Sequence, residues 1–188
     1  TPRSFGSLDE YRRDLRRCRE LTGGKPFGVN LTISRRPGWN RDAPAWIDIA
    51  LEEGVRHFES AGTSPEEFLP AIHAGGALLV HKCPSVRHAV TAERIGVDAV
   101  CLVGMEEGGH PGANPLSTFV NGAVALQRVK IPLVVGGGIG CGQQIAAALA
   151  MGAAGVVMGS RFMVASEIEM HDAVKRRIVE MDERCSIA

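Results

Sequence analysis

Aromatic residues are scarce in this chain, at 5% of 188 residues with a single tyrosine. That is too few for the stacking platforms that hold single-stranded nucleic acid. Charge of one sign does not predominate either: Lys plus Arg and Asp plus Glu both number 21. The balance argues against a nucleic-acid or membrane-surface partner. No apolar run approaches the ~18–20 residues of a membrane span, and the polar start does not read as a signal peptide. The cysteines, at positions 18, 83, 101, 141 and 185, are odd in number and form no C-x-x-C pair. A disulfide framework and a zinc site are therefore not expected, and a reducing compartment such as the cytoplasm fits.

Glycine is plentiful, and its positions are informative. The 23 glycines cluster at the ends of predicted strands rather than in a low-complexity tract. Between them the chain alternates helical and extended patterns. Ser7 to Leu21, Pro44 to Glu53, Ser85 to Ile95, Gly142 to Met151 and Glu167 to Glu183 read as helices, and Pro115 to Val129 as helical in part. A further helix is expected to open at Ser64-Pro65, with Glu67 at the capping-box position. Phe27 to Ile33, Val55 to Ser60, Ala77 to His81, Val97 to Val103, Leu133 to Val135 and Gly155 to Met158 read as strands. Runs such as Ala77 to Val80 are apolar without alternation, which predicts strands buried on both faces.

Repeated βα units mean a parallel sheet, in a barrel or a doubly wound arrangement. Recurrent punctuation at Gly54, Gly76, Gly96 and Gly152 favours the α/β (β/α)8 TIM barrel. Six strands do not fill a barrel of eight, so the first one or two βα units are expected to be missing before Thr1. Residues 1–188 are read as one N-terminally incomplete domain.

The segment Ile131-Pro-Leu-Val-Val-Gly-Gly-Gly-Ile-Gly140, followed by Met158-Gly-Ser-Arg-Phe162, places two glycine-marked strand ends in succession. Bare backbone N–H groups at strand ends and helix starts suit a phosphate. In a (β/α)8 barrel the loops after strands seven and eight are the usual place for one. Just past an earlier strand lies Gly104-Met-Glu-Glu-Gly-Gly-His-Pro-Gly112. Glycines beside His110 leave its imidazole accessible, and that group can exchange a proton near neutral pH. The bland alternative is a loop histidine bonded to a carbonyl.

Taken together, Val97-Asp-Ala-Val100 leading into Glu107-Gly-Gly-His-Pro-Gly112, Pro132-Leu-Val-Val-Gly-Gly-Gly-Ile139 and Met158-Gly-Ser-Arg-Phe162 resemble the nitronate monooxygenase family, formerly the 2-nitropropane dioxygenases. Lys25-Pro-Phe-Gly-Val-Asn-Leu31, His81-Lys-Cys-Pro-Ser-Val-Arg-His88 and the tail from Glu167 through His171 to Lys175 extend the likeness over nearly the whole chain. The resemblance implies a TIM barrel that binds FMN without a covalent bond. It implies a flavin contact for Asn30, an electrostatic role beside the flavin for Lys82, and packing of Gly109 against the isoalloxazine. Gly137 and Gly138, with Met158, Gly159, Ser160 and Arg161, are expected to hold the phosphate through backbone N–H groups. His110 falls at the family's catalytic histidine, the base toward neutral nitroalkanes. The implied reaction oxidises an alkyl nitronate with O2 to a carbonyl compound and nitrite, with no metal; a homodimer is open as an alternative to a monomer.

Each position also has a plainer reading. Asn30 could satisfy strand-end backbone, Lys82 could be a solvated lysine, Gly136 to Gly138 could be turn glycines and Arg161 an ordinary surface residue. Cys83 and Cys101 read as core, and His171 as packing for the last helix. Ala113-Asn-Pro115 stands where members with His-Pro-Gly often carry acidic residues. Two rival functions stand beside the first. One is a flavin-dependent enoyl-acyl-carrier-protein reductase using NADH. The other is a non-catalytic barrel that binds a phosphorylated ligand.

Overall fold

The computed structural model describes residues 1–108, 112 and 115–181. Its elements alternate as the sequence pattern predicts. In chain order they are α1 (Leu8–Leu21), β1 (Gly28–Ile33), α2 (Ala43–Glu52), β2 (His57–Gly62), α3 (Leu69–Ala74), β3 (Leu78–Cys83), α4 (Val86–Ile95) and β4 (Ala99–Val103), then α5 (Thr118–Arg128), β5 (Leu133–Gly136), α6 (Gly142–Ala150), β6 (Gly155–Val157), α7 (Ser160–Met163) and α8 (Asp172–Glu180). The strands follow one another in the sheet in the order β1-β2-β3-β4-β5-β6. The β1–β2, β2–β3 and β5–β6 pairs are parallel. This is the strand order of consecutive βα units in a (β/α)8 barrel.

The chain divides into two compact units. The first takes residues 1–82 and 91–100, and the second takes residues 83–90 and those from Cys101 onward. In the first unit, burial alternates along the strands. Val29, Leu31 and Ile33 of β1, Phe58 and Ser60 of β2, and Leu79 and His81 of β3 are buried. Their neighbours Asn30, Glu59, Val80 and Lys82 are half-buried. Side chains in a strand alternate between faces, so the two sets line opposite faces of the sheet. This corrects the expectation that the Ala77 to Val80 run is buried on both faces: Leu78 is 51% exposed. The core of this unit also contains Tyr11, Leu15, Ile47, Ala50 and Ile72. In the second unit, Cys101 to Val103 of β4 are buried, with Leu133 and Val135 of β5 and Ala125 and Ala148 of α5 and α6.

Local chemistry explains most boundaries. Ser7 caps α1, its hydroxyl accepting from the Glu10 N–H at 3.2 Å. Ser117 caps α5 in the same way, accepting from the Val120 N–H. The helix expected at Ser64-Pro65 begins later, at Leu69. Ser64 Oγ accepts from the Glu66 N–H at 3.4 Å, so it closes a local turn instead of capping the helix. The last helix starts at Asp172 rather than Glu167. His171 is its N-cap, with Nδ1 accepting from the Ala173 N–H at 3.1 Å. His171 therefore caps, where packing was expected. Two short elements have no precedent in the sequence reading: α7 and a 3-10 turn at Pro2–Ser4.

An ionic cluster ties α1 to the end of α2. Glu53, whose side chain is 8% exposed, accepts from Arg12 Nη1 at 2.9 Å and Arg16 Nη2 at 2.7 Å. Arg12 Nη2 also reaches Glu52 at 2.6 Å. Hydrogen bonds from Arg16 lower the Glu53 carboxyl from 4.5 to about 2; burial opposes them and the Arg12 bond adds to them. A carboxyl held low in the folded state stabilises it fully above the ordinary carboxylate range, and that contribution is lost as pH falls from 4.5 toward about 2. Glu53→Gln is accordingly expected to lower the thermal midpoint at pH 7 by on the order of 5 °C. The difference from wild type should shrink as melts are repeated toward pH 2. A deficit that stays constant over that range would show that the charge does not stabilise the fold.

Candidate functional site

The first unit brings together two of the residues singled out from sequence. β1 and β2 pair in a register that sets Asn30 beside Glu59. Asn30 Nδ2 donates to Glu59 Oε2 at 2.7 Å. Lys82 Nζ lies 3.6 Å from the other carboxylate oxygen, with side chains 26% and 33% exposed. Asn30 is thus the third residue of its strand, not its end, and Lys82 lies within β3. Thr32 Oγ1 donates to Asn30 Oδ1 at 3.4 Å. On the opposite strand face, Ser60 Oγ and His81 Nδ1 share a buried hydrogen bond of 2.8 Å.

Glu59 was missed by sequence reasoning. Its signal was there: an acid inside a strand, between Phe58 and Ser60, at the parity of the half-buried positions. That parity becomes meaningful only once the strand register is known.

In the second unit, β5 and β6 pair with Gly136 beside Val157, so the chain leaves the two strands at Gly137 and Met158 side by side. Gly137 and Gly138 have φ of +98° and +70°. Only glycine adopts such angles cheaply. A Cβ at Gly137 would lie 2.8 Å from Thr118 Oγ1, and one at Gly138 would lie 3.1 Å from Glu106 Cβ. These close approaches have a cause. Glu106 Oε2 accepts from the Thr118 N–H at 2.9 Å, at the start of α5. Thr118 Oγ1 sits 3.0 Å from that oxygen, 2.8 Å from the Gly136 carbonyl and 2.9 Å from the Gly137 carbonyl. One hydroxyl proton serves three acceptors in turn, and together they clamp the glycine turn to α5.

The loop into α6 is closed by its own side chain. Gln144 Oε1 accepts from the Gly140 and Cys141 N–H groups at 2.7 and 3.1 Å, and Gln144 Nε2 donates to the Gly138 carbonyl at 2.6 Å. Those two N–H groups are therefore engaged within the protein. Gly159 is the N-cap of α7, and Ser160 and Arg161 open its first turn, where a helix leaves its donors unbonded. Arg161 is exposed and Met158 half-buried. A cavity of about 390 Å³ is lined by Glu106, Thr118, Gly137, Gly138, Gln144 and the apolar Phe119, Met151 and neighbours; Met158 to Arg161 do not line it. Glu106 and Thr118 were not singled out from sequence, because their partners lie in distant segments; Gln144 was missed although its partners are local and it stands at the third position of α6.

Gly109 and His110 lie outside the described residues. Cys83 and Cys101 are buried, as read. Burial, then the neighbouring Cys101, pushes the Cys83 thiol up to about 12, far from a thiolate nucleophile at neutral pH. Among the described residues, no helix is long and apolar enough to cross a membrane.

Residues 3–185 match the family model described as nitronate monooxygenase. Among curated relatives, the chain is 38% identical over 151 residues to a protein of Rhodococcus jostii named (3aS,4S,5R,7aS)-5-hydroxy-7a-methyl-1-oxo-octahydro-1H-indene-4-carboxyl-CoA dehydrogenase, covering 80% of this chain and 41% of that one. It is 28% identical over 222 residues to a nitronate monooxygenase of Paraburkholderia phytofirmans, covering 92% and 58%. Among solved structures, FabK from Thermotoga maritima superposes with a TM-score of 0.83 at 34% identity, covering 94% of this chain and 54% of that one. The chain thus spans about half the length of the curated relatives it matches.

The clamp on the glycine turn is open to direct test. Gly137→Ala places a Cβ against Thr118 at a φ that alanine resists, and is expected to cost ~2 kcal/mol. Thr118→Val removes the hydroxyl and is expected to cost ~1–2 kcal/mol. Urea denaturation of the two single variants and the double should show strong non-additivity, since both break one contact set. Additive losses would show that the turn and Thr118 are not coupled.

Proposed function

The chain belongs to the nitronate monooxygenase family, and we propose on that footing that it is part of an FMN-dependent enzyme that oxidises alkyl nitronates with O2 to a carbonyl compound and nitrite. The family is one of flavin-dependent oxidoreductases acting on small molecules. FMN as the particular flavin, and O2 as the oxidant, are part of the proposal. The reading is carried by the family match across residues 3–185.

The residues present suit such a group. Glycines at positive φ, as at Gly137 and Gly138, keep Cβ atoms away from the turn that a phosphate would approach. With Gly137 and Gly138, the N–H groups of Met158, Gly159, Ser160 and Arg161 would hold the phosphate. Asn30 would offer its amide, and Lys82 a positive charge, to the flavin ring, with Gly109 packing beside it. Bound FMN supplies the acceptor for electrons leaving the substrate. His110 would take the proton from the carbon next to a nitro group, with its imidazole nitrogen as the base, and so generate the nitronate from a neutral nitroalkane.

A second reading has its own support. The identity to the carboxyl-CoA dehydrogenase, 38%, exceeds the 28% to the nitronate monooxygenase. In this reading the substrate is a carboxyl-CoA thioester. His110 would then take a proton from the carbon beside the thioester carbonyl, while the hydride lost from the next carbon would pass to bound FMN as a C=C bond forms.

The two readings separate in one experiment. Purified protein is reconstituted with FMN, and its visible spectrum is followed during anaerobic addition of propionate 3-nitronate or of an alicyclic acyl-CoA. Bleaching by the nitronate supports the first reading, and bleaching by the acyl-CoA alone replaces it with the second. No flavin uptake overturns both. His110→Asn is expected to abolish turnover of neutral nitroalkanes, with a loss of at least ~100-fold, while FMN affinity stays at the wild-type value. Full nitroalkane activity in that variant would remove His110 from the chemistry.

A further inference from the structure

We infer that Glu59 is a positioning residue for the flavin site, acting through Asn30 and Lys82; this rests on the flavin reading above. A carboxylate on the half-buried face of a strand is an unusual choice unless something there requires it. Glu59 is held from both sides. Its Oε2 accepts from Asn30 Nδ2 at 2.7 Å, and its Oε1 lies 3.6 Å from Lys82 Nζ.

The first contact settles an ambiguity in Asn30. A side-chain amide has a donor end and an acceptor end, and either can face a neighbour. An ionised carboxylate only accepts, so it selects the Nδ2 end. Thr32 Oγ1, donating at 3.4 Å, supports the same choice from the Oδ1 end. Asn30 then presents to a ligand one fixed pattern: the second N–H of Nδ2 and the remaining lone pair of Oδ1. The strand register makes this arrangement hard to avoid, because Asn30 and Glu59 are direct partners on adjacent parallel strands.

The second contact sets the electrostatics. Lys82 alone would add a full positive charge beside the flavin and favour its electron-rich form. With Glu59 at 3.6 Å the pair is close to neutral. Glu59 therefore moderates the potential of the bound cofactor while it orients the amide that binds it.

Two substitutions separate the two effects. Glu59→Gln keeps an acceptor oxygen for Asn30 and removes the charge. Glu59→Leu removes both. FMN dissociation constants and midpoint potentials are measured on the full chain. Glu59→Gln is expected to bind oxidised FMN like wild type and to raise the midpoint potential, by ~30 mV if the reduced form tightens about tenfold relative to the oxidised form in a two-electron couple. Glu59→Leu is expected to weaken FMN binding about tenfold. That loss should vanish when Asn30 is already alanine, since the amide is then gone. An unchanged potential in Glu59→Gln overturns the inference, and so does a Glu59→Leu loss that persists in the Asn30→Ala background. Wild-type protein that takes up no FMN overturns the flavin reading itself. A wild type that binds FMN alongside either of the former results overturns only the role of Glu59.

Discussion

The parallel register of β1, β2 and β3 is the constraint on which the first unit depends. Side chains on a strand alternate with period two, so a slip of one residue exchanges the two faces. In the observed register Leu31, Phe58 and Leu79 are in the core, and Asn30, Glu59 and Lys82 stand on the other face. A slipped β2 would bring Glu59 into the core and leave Phe58 outside. Burying a carboxylate away from its partners costs several kcal/mol, in addition to the ~2–3 kcal/mol forfeited by the exposed phenyl ring. The hydrophobic pattern and the polar triad therefore specify the same register. Asn30, Glu59 and Lys82 thereby also help to fix the strand alignment.

The second unit solves a different problem: how to hold a glycine-rich turn rigid. Three glycines in a row carry no side chains to pack, and their backbone freedom opposes order. The structure supplies that order from outside the turn. Thr118 and Glu106 engage the carbonyls of Gly136 and Gly137 and the first N–H of α5, and Gln144 secures Gly138 through Cys141. A rigid turn is what an anion site needs, since ordering it at the moment of binding would cost affinity. The Gln144 bonds also refine the sequence-level argument. The start of α6 looked from the sequence like a general anion cradle, yet Gly140 and Cys141 already donate to Gln144.

How far the sequence could be read follows from which interactions are local. All six strands and the major helices were legible, because apolar runs, glycine stops and caps such as Ser7 act within a few residues. The errors share a cause. Ser64 offers a capping hydroxyl, but it bonds Glu66 in a turn, and the sequence pattern is the same for both. His171 was read as packing because the helix was expected to start at Glu167; it starts at Asp172, and the geometry shows Nδ1 receiving the Ala173 N–H. The exposed Leu78 shows that an apolar run does not reveal how many faces are covered. At the site, Asn30 and Lys82 stood out through motif likeness. Glu59 and Thr118 did not, because a clamp between separate strands or loops leaves no signature within either segment alone; Gln144, bonded only to backbone three to six residues away, was a local signal left unread.

The two functional readings are closer chemically than their names suggest. A nitro group and a thioester carbonyl both acidify the carbon beside them, and each can take the negative charge left when a proton departs. A base at His110 and a flavin nearby would serve either substrate, so the residues in hand describe the shared half of the chemistry. What differs is the body of the substrate. A small nitronate needs little beyond the reacting groups, whereas a CoA thioester carries a large polyanionic tail and a bulky acyl part that require their own walls. The chain spans about half of its curated relatives, and the higher identity to the dehydrogenase lies in this portion. Selectivity between the readings must then come from residues that meet the substrate away from the reacting carbon. The cavity beside Phe119 and Met151 does not decide it, because among the described residues its walls carry no cationic side chain to receive a nucleotide phosphate.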